Sequence, residues 1–196
     1  VDMVEPLAPE GPPRSRKVAL VLDDKVREAF MPGLSTLLGG TVKVSLDRNE
    51  DGGQGVTADL TDARLNIPWV GWSKGPGIPA SVAFTMARSG DTTTLSDFAL
   101  DGKSFALKGT VGLSGGDLAS ARFSKVALNR GDDVAVSVRK TTKGYAVDVT
   151  GEALDARALV KQFTSDGGKA GKAGGSQSVS VHADVKTLTG FHGEKL

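Results

Sequence analysis

From Thr41 onward the chain alternates apolar and polar residues with a period of two, and short turn signals cut the alternation into pieces. Val42, Val44 and Leu46 alternate with Lys43, Ser45 and Asp47. The same pattern returns at Val82, Phe84 and Met86, at Phe105, Leu107, Val111 and Leu113, at Val134, Val136 and Val138, and at Tyr145, Val147 and Val149. A period of two puts every apolar side chain on one face of a strand, whereas on a helix it would scatter them around the axis. Turn signals stand at Asp51-Gly52-Gly53, Ser89-Gly90-Asp91, Asp101-Gly102, Ser114-Gly115-Gly116 and Lys143-Gly144. Between residues 90 and 144 they recur roughly every 12 to 16 residues, the rhythm of an antiparallel meander.

The flanks are less regular. Residues 17–22 read as a first strand. Asp23 and Asp24 offer an N-cap to a short helix carrying Val26, Phe30 and Leu34 at four-residue spacing, which Pro32-Gly33 must break or kink. Val56, Ala58 and Leu60 share one parity and Leu65 and Ile67 the other, so a bulge is expected near Asp62-Ala63. A Pro- and Gly-rich loop is expected over 68–79. Residues 118–128 are ambiguous, because Ala119, Phe123, Val126 and Arg130 could lie on one side of a helix; strand neighbours favour a strand. Asp155 caps a second short helix with Leu159 and Phe163, and Val179, Val181 and Ala183 open another strand. The expected class is mainly β with two short helices packing at the ends of an antiparallel meander.

Composition narrows the function. Glycine contributes 26 of 196 residues and aromatics only 5%, which suits many short strands and turns. The chain has no cysteine, which removes disulfides, cysteine zinc sites and thiol nucleophiles, and leaves the compartment open. Lys and Arg number 24 against 23 Asp and Glu, and the basic residues are scattered, which argues against nucleic acid. No apolar run reaches the roughly 18–20 residues of a membrane span. The start, Val1-Asp2-Met3, shows no signal peptide and no initiator Met, and reads as a piece of something longer.

The alternation raises a physical question. Seven or eight strands about 4.8 Å apart and about 20 Å long present an apolar face of roughly 800 Å². Leaving it wet would forgo on the order of 20 kcal/mol, and two short helices cover only part of it. The sheet must curl onto itself, pack against a neighbouring domain, or hold an apolar ligand.

Some motifs look catalytic. Gly112-Leu113-Ser114-Gly115-Gly116 matches the G-x-S-x-G nucleophile elbow, with His182 and His192 downstream, but its period-two surroundings make it a hairpin turn. The stretch GGKAGKA at 167–173 resembles a phosphate loop; it has the wrong glycine spacing and Ala173 where Ser or Thr should hold the metal, and reads as a flexible linker. The two histidines have no third ligand at metal spacing. Trp69 and Trp72 could stack a sugar, though two Trp in a Pro-rich loop more often anchor it to the core. No catalytic residue, metal or cofactor is expected.

The most distinctive segment is LNIPWVGWSKGPGIPA at 65–80. Its I-P-x-x-G-W-x-K core, built from Ile67, Pro68, Gly71, Trp72 and Lys74, resembles a stretch of the AsmA-like superfamily, in the branch of large envelope proteins whose central region has no characterised function. Trp69 departs from the pattern, where a small or acidic residue would be expected. The surrounding order is similar too: a short helix over 24–38 before a strand opening GTVKVSL, then LKGTVGLSGGDL, a strand pair across KGYAVDVTGEALDA, and a helix over 156–163. The resemblance covers 17–165, with 1–16 as a linker, 166–176 as a Gly/Lys/Ser linker and 177–196 as the first strand of a following unit.

The resemblance implies a strongly curved sheet, an open groove or half-barrel, in the periplasmic part of a Gram-negative protein anchored in the inner membrane. It implies transport of phospholipid towards the outer membrane, or outer-membrane homeostasis, without catalysis. Acyl chains would then contact Val82, Phe84, Met86, Phe105, Leu107, Val111, Val134, Val136, Val138 and Val147, while the 67–74 motif would be structural. Partners would be phospholipid or another apolar ligand and other segments of the same parent chain. Two other readings stay open: an assembly module docking another envelope protein through its sheet edge or apolar face, and carbohydrate binding through Trp69 and Trp72.

Overall fold

The computed structural model describes residues 2–3, 16–26, 37–48, 53–67, 72–115, 117–157 and 178–190. The strands are β1 (Asp2–Met3), β2 (Arg16–Leu22), β3 (Leu38–Gly40), β4 (Val42–Arg48), β5 (Gln54–Asp59), β6 (Ala63–Ile67) and β7 (Trp72–Lys74). They continue as β8 (Ala80–Ser89), β9 (Thr92–Gly102), β10 (Ala106–Ser114), β11 (Asp117–Ala127), β12 (Asp133–Thr141), β13 (Gly144–Asp155) and β14 (Ser178–Thr189). An 11-stranded sheet runs β1-β2-β4-β5-β8-β9-β10-β11-β12-β13-β14, and a 3-stranded sheet runs β3-β6-β7. The fold is mainly β, as the alternation predicts, and the large sheet does not close into a barrel.

The meander is antiparallel from β1 to β13, but β14 lies parallel to β13 over the whole run from Gly144↔Ser178 to Asp155↔Thr189. The sheet is therefore mixed, which corrects the purely antiparallel expectation. A parallel neighbour needs a crossover of a dozen or more residues, and 156–177 supplies it. Ala156 N donates to Thr189 O at 3.1 Å where that connection leaves the sheet.

Where the two helices are expected, only residues 24–26 and Arg157 are described as helical. Residues 24–26 are helical and Val26 N donates to Asp23 Oδ1 at 2.9 Å, an N-cap contact. Gly40 N donates to Asp24 Oδ1 at 2.9 Å, tying Asp24 to β3. Arg157 is helical and its N–H donates to Asp155 Oδ1 at 3.1 Å. The other residues of the expected helices, Phe30, Leu34, Leu159 and Phe163 among them, lie outside the described residues, as do most of the 1–16 linker and all of 166–176.

The parity change after Leu60 is a change of sheet and not a bulge. The chain turns at 60–62 and β6 pairs with β3 and β7 instead of continuing beside β8. Leu38, the last residue of the helix that the resemblance implies over 24–38, begins β3, and the loop expected over 68–79 contains β7. The hairpins fall where the turn signals stand: Ser89↔Thr92, Ser114↔Asp117 and Thr141↔Gly144 are closing pairs.

Register places the apolar residues in rows. One row runs Leu20, Val44, Ala58, Val82, Leu100, Leu107, Val126, Val134, Gly151, Val185. Four or five residues further along the strands, another joins Met86, Leu95, Val111, Ala121, Val138, Val147 and Val181. The opposite face carries Lys43, Asp59 and Ser81 in one row and Arg122, Ser137, Asp148 and His182 in another. Cross-strand partners share a face, so this sheet has one apolar and one polar side.

Bulges keep that sorting intact. In β11, register shifts let Leu118, Ala121, Phe123 and Val126 share the apolar face despite uneven spacing. This is why 118–128 did not read as a clean strand. In β9 the shift sits at Asp97, whose φ of 53° is a left-handed conformation, and it brings Leu95 and Phe98 to the same side.

Candidate functional site

The apolar face is sealed at one end. There the small sheet packs against the large one, and Val42, Ala58, Leu60, Ala63, Trp72, Ala80, Leu100, Phe105, Val126, Leu128 and Val134 form one buried cluster. Trp72 and Phe105 meet edge to face with centroids 4.9 Å apart. The Phe105 ring lies over Gly102, where a Cβ would collide with it, and Gly102 N donates to Phe105 O at 2.9 Å.

The motif side chains hold this seal in place. The Trp72 indole Nε1–H donates to Leu128 O at 2.8 Å, so its one polar atom is already satisfied inside the protein. Lys74, 2% exposed, directs Nζ at Leu60 O and Ala63 O, each at 2.7 Å, at Gly75 O at 3.1 Å and at Thr61 O at 3.3 Å. An ammonium has three protons, so these carbonyls absorb its full donor capacity. Burial pushes the Lys74 ammonium below its ordinary pKa, with the carboxylates of Asp62 and Asp59 opposing. Ile67 pairs with Trp72 across β6 and β7 and packs against the cluster. Pro68, Trp69 and Gly71 lie outside the described residues.

The residues expected to meet acyl chains all fall on this one face, at different depths. Phe105 and Val134 are 7% and 3% exposed and belong to the sealed core, which puts them out of a ligand's reach. Val82, Leu107 and Val136 pack against that core from its margin. Phe84, Met86, Val111, Val138 and Val147 lie farther toward the hairpin end and are half-buried. At the β14 edge the same face continues through Val179 and Val181, 48% and 54% exposed.

Sequence spacing missed several members of the face. Phe98 and Phe123 are on it, and Phe84 stacks on Phe98 at 6.0 Å while Phe98 meets Phe123 edge-on at 6.1 Å. These rings lie around Gly109, which pairs with both Phe98 and Phe123. A Cβ on Gly109 would run into the Arg122 carbonyl and come within 2.7 Å of Phe123 Cα. Only glycine allows that approach, and the phenylalanines cover the gap it leaves.

Of the residues that resembled catalytic motifs, Ser114 and His182 are described. Ser114 closes the β10–β11 hairpin, with Gly115 at φ 59°. The open depression beside it, about 330 Å³, is lined by Thr92, Thr94, Thr110, Ser120 and Arg122 together with Gly112, Leu113 and Ala119. His182 is exposed on the polar side of β14. His192 and the 167–173 stretch lie outside the described residues. Among the described residues no cluster of His, Asp and Glu could hold a metal, and no helix is long and apolar enough to cross a membrane.

Neither a family model, nor a curated protein, nor a solved structure matches this chain.

Proposed function

We propose that the chain is a lipid-contacting β segment of an AsmA-like envelope protein, without catalytic activity. In this reading its half-buried apolar rows receive phospholipid acyl chains in the periplasm, within a parent protein anchored in the inner membrane. The observation that carries it is the grading of one continuous face. Trp72 and Phe105 seal it at one end, while Phe84, Met86, Val111, Val138 and Val147 stay half-buried beyond and Val179 and Val181 are about half exposed. A broad, partly wetted apolar surface on a sheet marks a place where something apolar is meant to lie. The family and compartment rest on the 65–80 motif and the element order around it.

The test is native mass spectrometry with lipid extraction on protein purified without detergent. Co-purified phospholipid supports the carrier reading, and a lipid-free mass counts against it. A second reading, an assembly module, is favoured by one feature: the outer side of β14, a 12-residue strand, has no paired strand among the described residues. Its mark is concentration-dependent association without lipid.

A further inference from the structure

Basic residues that lie apart in the sequence become neighbours on the polar face of the large sheet. Lys108 in β10 stands directly opposite Lys125 in β11, and Arg122, opposite Thr110, follows on the same face. Like charges set directly opposite one another weaken a strand pair. Lysines on an edge strand keep foreign strands away, but β10 and β11 are interior strands, each paired on both sides. Several other cations of the protein are paired: Arg139 with Asp148 at 3.5 Å, Lys140 with Asp117 at 3.1 Å and Lys186 with Glu152 at 2.6 Å. Among the described residues, Lys108, Lys125 and Arg122 have no ion-pair partner.

The open depression of about 330 Å³ lies beside this group and takes in Arg122. Gly112 belongs to it, between its strand partners Thr94 and Ser120. A Cβ on Gly112 would stand 2.9 Å from Ser120 Oγ, so a larger residue would crowd the space. Thr94, Thr110 and Ser120 bring hydroxyls to the lining and Arg122 a guanidinium. Among the described residues, none of these four side chains has a hydrogen-bond partner. None of the described residues that line the depression is acidic or aromatic.

We propose that this depression binds a phosphate group, as the free anion or as a lipid headgroup, with Arg122 as its principal contact. A guanidinium presents a fork of donors that matches phosphate oxygens, and hydroxyls donate to the oxygens left over. Lys108 and Lys125 stay outside the lining and raise the positive potential around it, and a bound anion relieves their mutual repulsion. A sugar would find no ring to stack on, and a metal cation no carboxylate. The depression lies on the side of the sheet opposite the half-buried apolar rows, so phosphate binding does not depend on acyl-chain contact.

Isothermal titration calorimetry of the full chain with inorganic phosphate, up to about 50 mM, tests it. The expected result is saturable binding. Arg122→Gln, checked for intact fold by circular dichroism, should weaken that binding at least about tenfold. Lys108→Gln, outside the depression, should weaken it only about twofold to threefold. Co-sedimentation then separates the two sources. Capture by phosphatidic acid vesicles but not by phosphatidylcholine vesicles, lost in Arg122→Gln, assigns the headgroup; phosphate binding without such capture assigns the free anion. Absence of saturable phosphate binding overturns the proposal, as does wild-type affinity in Arg122→Gln. Equal losses in Arg122→Gln and Lys108→Gln overturn it too, because they mark a diffuse positive surface without a site.

Discussion

The indole N–H of Trp72 donates to the carbonyl of Leu128 at 2.8 Å, joining residues 56 positions apart. One partner belongs to the small sheet and the other follows β11 of the large one, so this bond fastens the seal to the sheet it covers. Trp72→Phe keeps an aromatic ring against Phe105 but leaves the buried Leu128 carbonyl without its donor. It should cost about 1–3 kcal/mol, and Trp72→Ala about 3–5 kcal/mol, in urea denaturation. A Trp72→Phe midpoint equal to wild type would show that the bond contributes nothing.

Lys74 is a cation used as a structural clamp. Its ammonium collects the carbonyls of the 60–63 turn, and Lys74→Met would bury those oxygens with fewer donors. The expected loss is about 2–4 kcal/mol, read as a lower melting temperature. Lys74→Arg should also destabilise, because a planar guanidinium cannot converge on carbonyls arranged around a point charge. Full stability in Lys74→Arg would refute the clamp.

Asp155 gives the fold an acid-sensitive point. The hydrogen bonds and charge of Arg157 hold its carboxyl below the usual aspartate range, against a smaller opposing effect of burial. In the window between the folded and unfolded pKa values the unfolded chain binds more protons, so stability rises with pH. The contribution is present above about pH 4 and is lost as the pH falls through the folded value. Asp155→Asn should flatten that part of the stability–pH curve, measured by thermal melts between about pH 2.5 and pH 6. An unchanged curve would assign the acid sensitivity elsewhere.

Much of this architecture can be read from local spacing. Strands β4, β8 and β12 keep an unbroken period of two, and their turns carry glycine where the chain reverses. Strand β11 defeats the same reading, because its bulges shift parity between Leu118, Ala121, Phe123 and Val126. Asp97 hides Phe98 in the same way. The small sheet leaves almost no local signal, since β3 and β7 are three residues each and are defined by partners distant in sequence. The parallel placement of β14 has no signature in its own residues, which alternate as well for either direction. The half-buried rows were mostly legible, but their depth was not: spacing alone ranks Val134 with Val138, and only the packing of Trp72 and the small sheet separates them.

That separation is also where the lipid reading is most exposed to refutation. Native mass spectrometry of detergent-free wild type, Val138→Asp and Val134→Asp, each with a melting curve, tests it most directly. The account predicts bound phospholipid on wild type, a folded but lipid-free Val138→Asp, and a Val134→Asp that loses its fold because a carboxylate enters the sealed core. A lipid-free wild type, or a Val138→Asp that retains its phospholipid, would contradict it.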